Sequence, residues 1–208
     1  DAAIAMNAVL CIGEPHMTGV GGDCFVMLSV DGGTNFKALN GSGKSSSKAK
    51  ASNLRKKNIS VISPEMPDAI TIPGAVAAWS LLHKEHGHMP WKELFNPAIN
   101  YAQQGINVHE RVALDWKKNI QKLSLDSDTS KLFLKNGKPF QFMDNFKNKN
   151  LSETFQTIAQ EGHDGFYHGW VAIDMLNKLE SIGGNHNLND FGNTTAEWVN
   201  PISSDYRG

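Results

Sequence analysis
The stretch GSGKS at residues 41–45 sets two glycines, a lysine and a serine in the order found in loops that cradle a nucleotide's phosphates. Such a loop also needs a glycine six positions before its lysine, and after it a helix whose N-terminus faces the phosphates. Six positions before Lys44 stands Ala38. Residues 45–58, SSSKAKASNLRKKN, alternate hydroxyls and cations, with hardly an apolar residue to seat a helix on a sheet. Both requirements fail, so no nucleotide is expected at this loop, and the segment reads as a polar loop following a strand.

Other groupings bear residue types suited to metal or nucleophilic chemistry. His83, His86 and His88 lie close in sequence, but no cysteine or paired carboxylate completes a coordination shell, so surface positions are expected and no metal is assigned. Asp126 and Asp128 in LDSDTSKLFLKNG suggest a calcium loop, yet Lys131 stands where a glycine is required and Gly137 where a glutamate is required. Cys11 and Cys24 lie in apolar surroundings and read as buried free thiols. No GxSxG elbow or Cys/His signature occurs, so spacing alone names no nucleophile. The four sequons, at Asn40, Asn58, Asn150 and Asn193, are what 19 asparagines give by chance.

These residues need elements to position them. The chain has 208 residues, 40% of them hydrophobic, with a formal net charge of −1. That length supports one substantial core or part of a larger one, and the charge argues against a nucleic-acid surface despite the short run Arg55, Lys56, Lys57, which reads as solvated loop. No apolar stretch reaches the roughly 18 residues of a membrane-spanning helix. DAAIAMNAVL, at the start, reads as the interior of a helix, so an upstream segment is expected. CFVMLSV (24–30), a DGGT turn and NFKALN (35–40) predict a hairpin. A short run AITI (69–72) precedes a helix opened by Pro73 and closed near Gly87, with Val76, Ala77, Trp79, Leu81 and Leu82 expected to face a core. PWKELFNPAINYAQQG (90–105) predicts two short helices, because Pro97 must open a new one. Asn150 with Glu153 predicts the N-cap of a helix ending at Gly162, and residues 166–184 predict another with Gly183 as its stop. An α/β chain follows, with no repeat.

Four blocks carry a resemblance. DAAIAMNAVLCIGEPHMTGVGGDCFVML, IPGAVAAWSLLHKEHGHMPWKELFNPAINYAQQG, EGHDGFYHGWVA and LNDFGNTTAEWVNPISSDYRG occur in this order over nearly the whole chain. They resemble the DAA-helix, the Glu-Pro-His turn, the Gly-Gly strand, the proline-glycine helix and the late large-subunit stretches of the γ-glutamyltranspeptidase family. The resemblance implies an N-terminal nucleophile hydrolase, an α/β (α+β) fold of four αββα layers only partly contained here, so that residues 1–208 form a single incomplete domain. Family members are cut from one precursor before a Thr, which becomes the first residue of the small subunit and the nucleophile. That Thr falls outside this chain, and Thr194 and Thr195 are not it.

The resemblance also implies a γ-glutamyl or related acyl transfer from a small-molecule or peptide amide to water or an amine, with the small subunit as partner and no cofactor. A relative that has lost catalysis and serves only as a binding or structural protein is the alternative. In the family the loop after the hairpin carries an Arg that pairs with the donor's α-carboxylate, and on ALNGSGKSS this position falls at Ser42. Ser42 and Lys44 are therefore the expected substrate-binding residues, in a loop that departs from the family pattern, since neither can copy the planar guanidinium fork.

Overall fold
The structure is a computed structural model that describes residues 1–30 and 32–207. Asp31, in the expected DGGT turn, and Gly208, at the end of the stretch LNDFGNTTAEWVNPISSDYRG, lie outside the described residues. In chain order α1 covers Ala2–Gly13, β1 Cys24–Ser29, β2 Phe36–Gly41, α2 Ala51–Lys56 and α3 Ala75–His86. Next come α4 (Asn96–Gln104), β3 (Ile106–Asn107), α5 (Glu110–Lys118), α6 (Ile120–Leu123) and α7 (Ser127–Phe133). The strands β4 (Leu134–Lys135), β5 (Lys138–Pro139) and β6 (Asn145–Phe146) lead to α8 (Lys149–Tyr167), α9 (Trp170–Ser181), α10 (Leu188–Gly192) and β7 (Glu197–Val199). No helix among the described residues is long and apolar enough to cross a membrane. Two compact units result, one of Asp1–Gly19 with Met89–Ala159, the other of Val20–His88 with Gln160–Gly208.

The first unit is mainly helical. Pro97 opens α4 directly after a 3₁₀ turn over Trp91–Phe95, so the expected pair of short elements is present, with the first wound more tightly than an α-helix. Trp116 forms edge contacts with Phe133, Phe140 and Phe146 at 5.4, 5.8 and 5.1 Å, an aromatic core that also buries Val112. Asp126, one of the two acids of the rejected calcium loop, caps α7 by accepting from the N–H groups of Asp128 and Thr129 at 3.1 and 2.9 Å. The cap of α8 is Asn148, whose Oδ1 accepts from Leu151 N at 3.1 Å. This corrects the expectation for Asn150, which already lies inside the helix and so cannot take the cap position.

The second unit holds a three-stranded antiparallel sheet in the order β1-β2-β7. Val26, Leu39 and Trp198 lie opposite one another on one face, with Leu39 fully buried. Phe25 and Met27 point to the other face and are 69% and 64% exposed. The residues read as loop after β2 include the exposed helix α2, which buries nothing. Arg55 and Lys56 in its last turn suit the negative end of the helix dipole, so it needs no apolar seat. In α3 the run Ala75–Trp79 is buried, whereas Leu81 and Leu82, expected in the core, are only half-buried. The small alanines let the first turn be enclosed on all sides, and the helix then leaves the core. Gly162 breaks α8 at φ 66, and Gly183 follows α9 at φ 85, as the stop signals predict.

The start of α3 has no capping side chain, and its unpaired N–H groups are met from elsewhere. Gly22 O accepts from Gly74 N and Ala75 N at 2.9 and 3.0 Å. The buried Tyr167 hydroxyl accepts from Ala77 N at 3.1 Å and donates to Pro73 O at 2.7 Å. Burial pushes the phenol's pKa well above its usual value, partly offset by the Ala77 bond, so the hydroxyl stays protonated and able to donate. Replacing Tyr167 by Phe leaves a buried N–H and a buried carbonyl unmatched. Urea unfolding of Tyr167→Phe is expected to show a loss of about 1–3 kcal/mol, against less than about 0.5 kcal/mol for Tyr101→Phe at a 45% exposed position. Equal stability of the two variants would refute this role.

Candidate functional site
Three glycines set the loop that follows β2. A Cβ on Gly41 would stand 2.5 Å from Ala78 Cβ and 2.7 Å from Cys24 O. One on Gly43 would collide with the Ile72 carbonyl, and one on Gly74 with the Gly41 carbonyl. The glycines of GSGKS thus serve close backbone packing against the start of α3. Gly43 N donates to Asp23 Oδ1 at 2.7 Å, Ser42 N to Asn40 Oδ1 at 3.0 Å, and Ile72 N to Lys44 O at 2.9 Å. A phosphate here would have to displace a carboxylate from the very N–H that should cradle it, which agrees with rejecting the nucleotide loop.

Residues 46 and 47 are tied to the segment around α10. Ser46 is buried and donates to Asn185 O at 2.9 Å. Asp190 Oδ1 accepts from Ser47 N at 3.1 Å, while its Oδ2 accepts from Asn187 N at 3.1 Å and Asn187 Nδ2 at 2.8 Å. Asn187 and Asp190 form a reciprocal capping box on α10. Burial pushes the Asp190 carboxyl up, but the hydrogen bonds from Ser47, Asn187 and Ser46 outweigh it and hold the pKa below the usual value.

Between these segments lies a cleft of about 260 Å³. Ser42, Lys44 and Ser47 line one side, Asn189, Asp190, Asn193 and Thr194 the other, and Ile72 adds an apolar patch. Both residues expected from the sequence, Ser42 and Lys44, therefore open onto one cleft. The facing wall was missed. Its only local signal was the Asn187-x-x-Asp190 spacing, and nothing in the sequence tied that cap to residues 42–47.

The remaining candidates lie apart from this cleft. His83 and His86 are on the last turn of α3 and His88 is beyond Gly87, with the His86 ring edge-on to Trp198 at 5.6 Å. Cys11 and Cys24 are free thiols, Cys11 buried as expected but Cys24 only half-buried, because it opens the edge strand β1. Burial pushes the Cys24 thiol up, partly offset by a hydrogen bond with Trp79, which favours the neutral thiol over the thiolate. In the first unit His16, from the Glu-Pro-His turn, lies 3.3 Å from Asp115 Oδ2, which also accepts from Arg111 Nε at 2.7 Å. Arg111 holds the Asp115 carboxyl below its usual range.

The family model described as Gamma-glutamyltranspeptidase matches residues 1–208. The chain belongs to the γ-glutamyltranspeptidase family. It is 34% identical over 208 residues to the glutathione hydrolase-like YwrD proenzyme of Bacillus subtilis, covering all of this chain and 39% of that one. Over 215 residues it is 28% identical to the glutathione hydrolase proenzyme of Escherichia coli, again covering all of this chain and 36% of the relative. The chain thus spans well under half the length of these curated relatives. Among solved structures, the γ-glutamyltranspeptidase of Helicobacter pylori superposes with a TM-score of 0.92 at 28% identity, over 99% of this chain and 60% of that one. Cephalosporin acylase from Bacillus halodurans gives 0.90 at 29% identity, over 99% and 39%. The fold is that of the family's N-terminal nucleophile hydrolases, of which this chain contains a part, as the resemblance implied.

Asp190 yields a pH dependence. Its folded pKa is depressed, so its contribution to holding residues 46 and 47 is full above the ordinary Asp value of about 3.9 and is lost as pH falls through and below it. Protection of the Ser47 amide against hydrogen exchange, corrected for intrinsic rates, is expected to hold down to about pH 4 and to fall as the pH is lowered further. In Asp190→Ala it is expected to be low throughout. Equal protection in both proteins would contradict the tie.

Proposed function
We propose that residues 1–208 form one incomplete domain, part of the large subunit of a γ-glutamyltranspeptidase-like amide hydrolase or acyltransferase. The nucleophile is the N-terminal Thr of a small subunit cut from the same precursor, with its own α-amine as general base and an acyl ester as intermediate. The cleft after β2 receives the acyl donor, a γ-glutamyl or related group, and Ser42 and Lys44 face it. The observation that carries this reading is that Ser42 and Lys44 line one cleft, and the resemblance puts the family's carboxylate-binding Arg at Ser42.

The chemistry of the cleft supports a changed donor preference within that reaction class. Lys44 offers a point charge and Ser42 a single hydroxyl, in place of a bidentate fork. Losing a charge-assisted pair of that kind costs about 2–5 kcal/mol of donor binding. The exposed sheet face supports the partner. Met27, Ala38 and Val199 are directly opposed on it, beside Phe25, and a face this apolar suits a second sheet stacked on the first.

In the processed full-length enzyme, Ser42→Arg is expected to raise kcat/KM for γ-glutamyl donors by about tenfold or more, equivalent to about 1.4 kcal/mol. It is expected to change little for acyl donors without an α-carboxylate. Efficient turnover of glutathione by the unmodified enzyme, indifferent to both Ser42→Arg and Lys44→Ala, would sink the assignment of this loop to the donor.

A further inference from the structure
The turn after the break at Gly162 brings together His163, Asp164 and His168, whose metal-binding atoms all lie within 4.8 Å of one another. His163 Nδ1 is 3.2 Å and His168 Nε2 3.9 Å from the same oxygen, Asp164 Oδ1. The four-residue spacing places Asp164 and His168 on one helical face, and the positive φ of Gly162 redirects the chain so that His163 begins the new turn.

The second nitrogen of His163 separates this cluster from a chance grouping. Its Nε2 is 3.1 Å from the carbonyl oxygen of Thr194. A carbonyl only accepts, so Nε2 carries a proton, and in the neutral ring Nδ1 turns its lone pair toward Asp164. A lone pair and a carboxylate oxygen at this distance repel each other unless a proton or a metal ion lies between them. A backbone carbonyl holding the far N–H of an imidazole is the arrangement that fixes tautomer and orientation in metal-binding histidines. The ring is also held against Tyr167, with centroids 4.5 Å apart.

We propose that His163 Nδ1, Asp164 Oδ1 and His168 Nε2 form a site for a divalent transition-metal ion, with zinc the best match to two imidazoles and a carboxylate. Zinc–ligand bonds of about 2.0–2.1 Å place donors of a tetrahedral site about 3.4 Å apart, and the distances of 3.2 and 3.9 Å to Asp164 Oδ1 bracket that value. Asp164 and His168 side chains are 81% and 54% exposed, so the ion has access from solvent and the fourth position is open to water or another ligand. Thr194, which anchors His163, also lines the cleft beside Ser42 and Lys44, so the ion would brace one wall of it. The proposal does not depend on the acyl-transfer reading.

The test uses the full-length protein, free of any affinity tag and stripped with a chelator, titrated with zinc by calorimetry and with cobalt(II) by visible absorption. One saturable site with tetrahedral cobalt bands is expected. Its affinity is expected to fall at least about tenfold in each of Asp164→Ala and His168→Gln, and to be unchanged in His86→Ala. Because zinc binds the folded state, Tm is expected to rise with zinc in the parent protein and not in Asp164→Ala or His168→Gln, provided both keep the parent's circular dichroism. Absence of a saturable site would overturn the proposal and leave a proton between His163 and Asp164. Binding that survives both substitutions, or that is lost equally in His86→Ala, would place the ion elsewhere and overturn it too.

Discussion
The second unit depends on a backbone contact that side chains would forbid. The end of β2 packs against the residues leading into α3 so closely that Gly41, Gly43 and Gly74 have no room for a Cβ. That contact fixes where α3 starts, and the helix's first N–H groups then find Gly22 O and the Tyr167 hydroxyl. It also fixes the direction in which the chain leaves the sheet, so that Ser42 and Lys44 come to line the cleft. The glycines that mimic a phosphate loop are therefore a packing device, and the N–H groups of Gly43 and Ser42 are taken up by Asp23 and Asn40.

Features governed by local physics were legible in the sequence. The hairpin follows from two strand-like runs flanking a turn, the opening of α4 from Pro97, and the ends of α8's first part and of α9 from Gly162 and Gly183, all of which depend on a few adjacent residues. What was missed depends on distant partners. β7 has three residues, Glu197–Val199, too few to show a period, and is a strand because β2 pairs with it. α2 buries nothing, so it has no apolar pattern to read. Leu81 and Leu82 have the right spacing for a core, but the helix has left the core by the time it reaches them.

The cleft shows the same division. Ser42 and Lys44 could be named because the family resemblance puts the Arg of the loop after the hairpin at Ser42, with Lys44 two residues on. Asp190 could not, because its role rests on hydrogen bonds with Ser47, 143 residues away in sequence. The wall it belongs to lies in the last of the four family-like blocks, whose residues carry no sign that they face the loop. A family match fixes the layers and the order of elements, while the chemistry of the cleft is set by the particular side chains that close contact and long-range hydrogen bonding bring together.

Gly74→Ala tests the central claim most directly, read by hydrogen exchange at the amides of Ser42, Gly43 and Ile72. A methyl group there should force the loop away from the start of α3, so exchange at all three amides is predicted to rise together with a loss of stability. Gly21→Ala, at a position with open space around it, should change neither. Unaltered protection of the three amides in Gly74→Ala would show that the glycine contact does not position the loop, and would contradict the account.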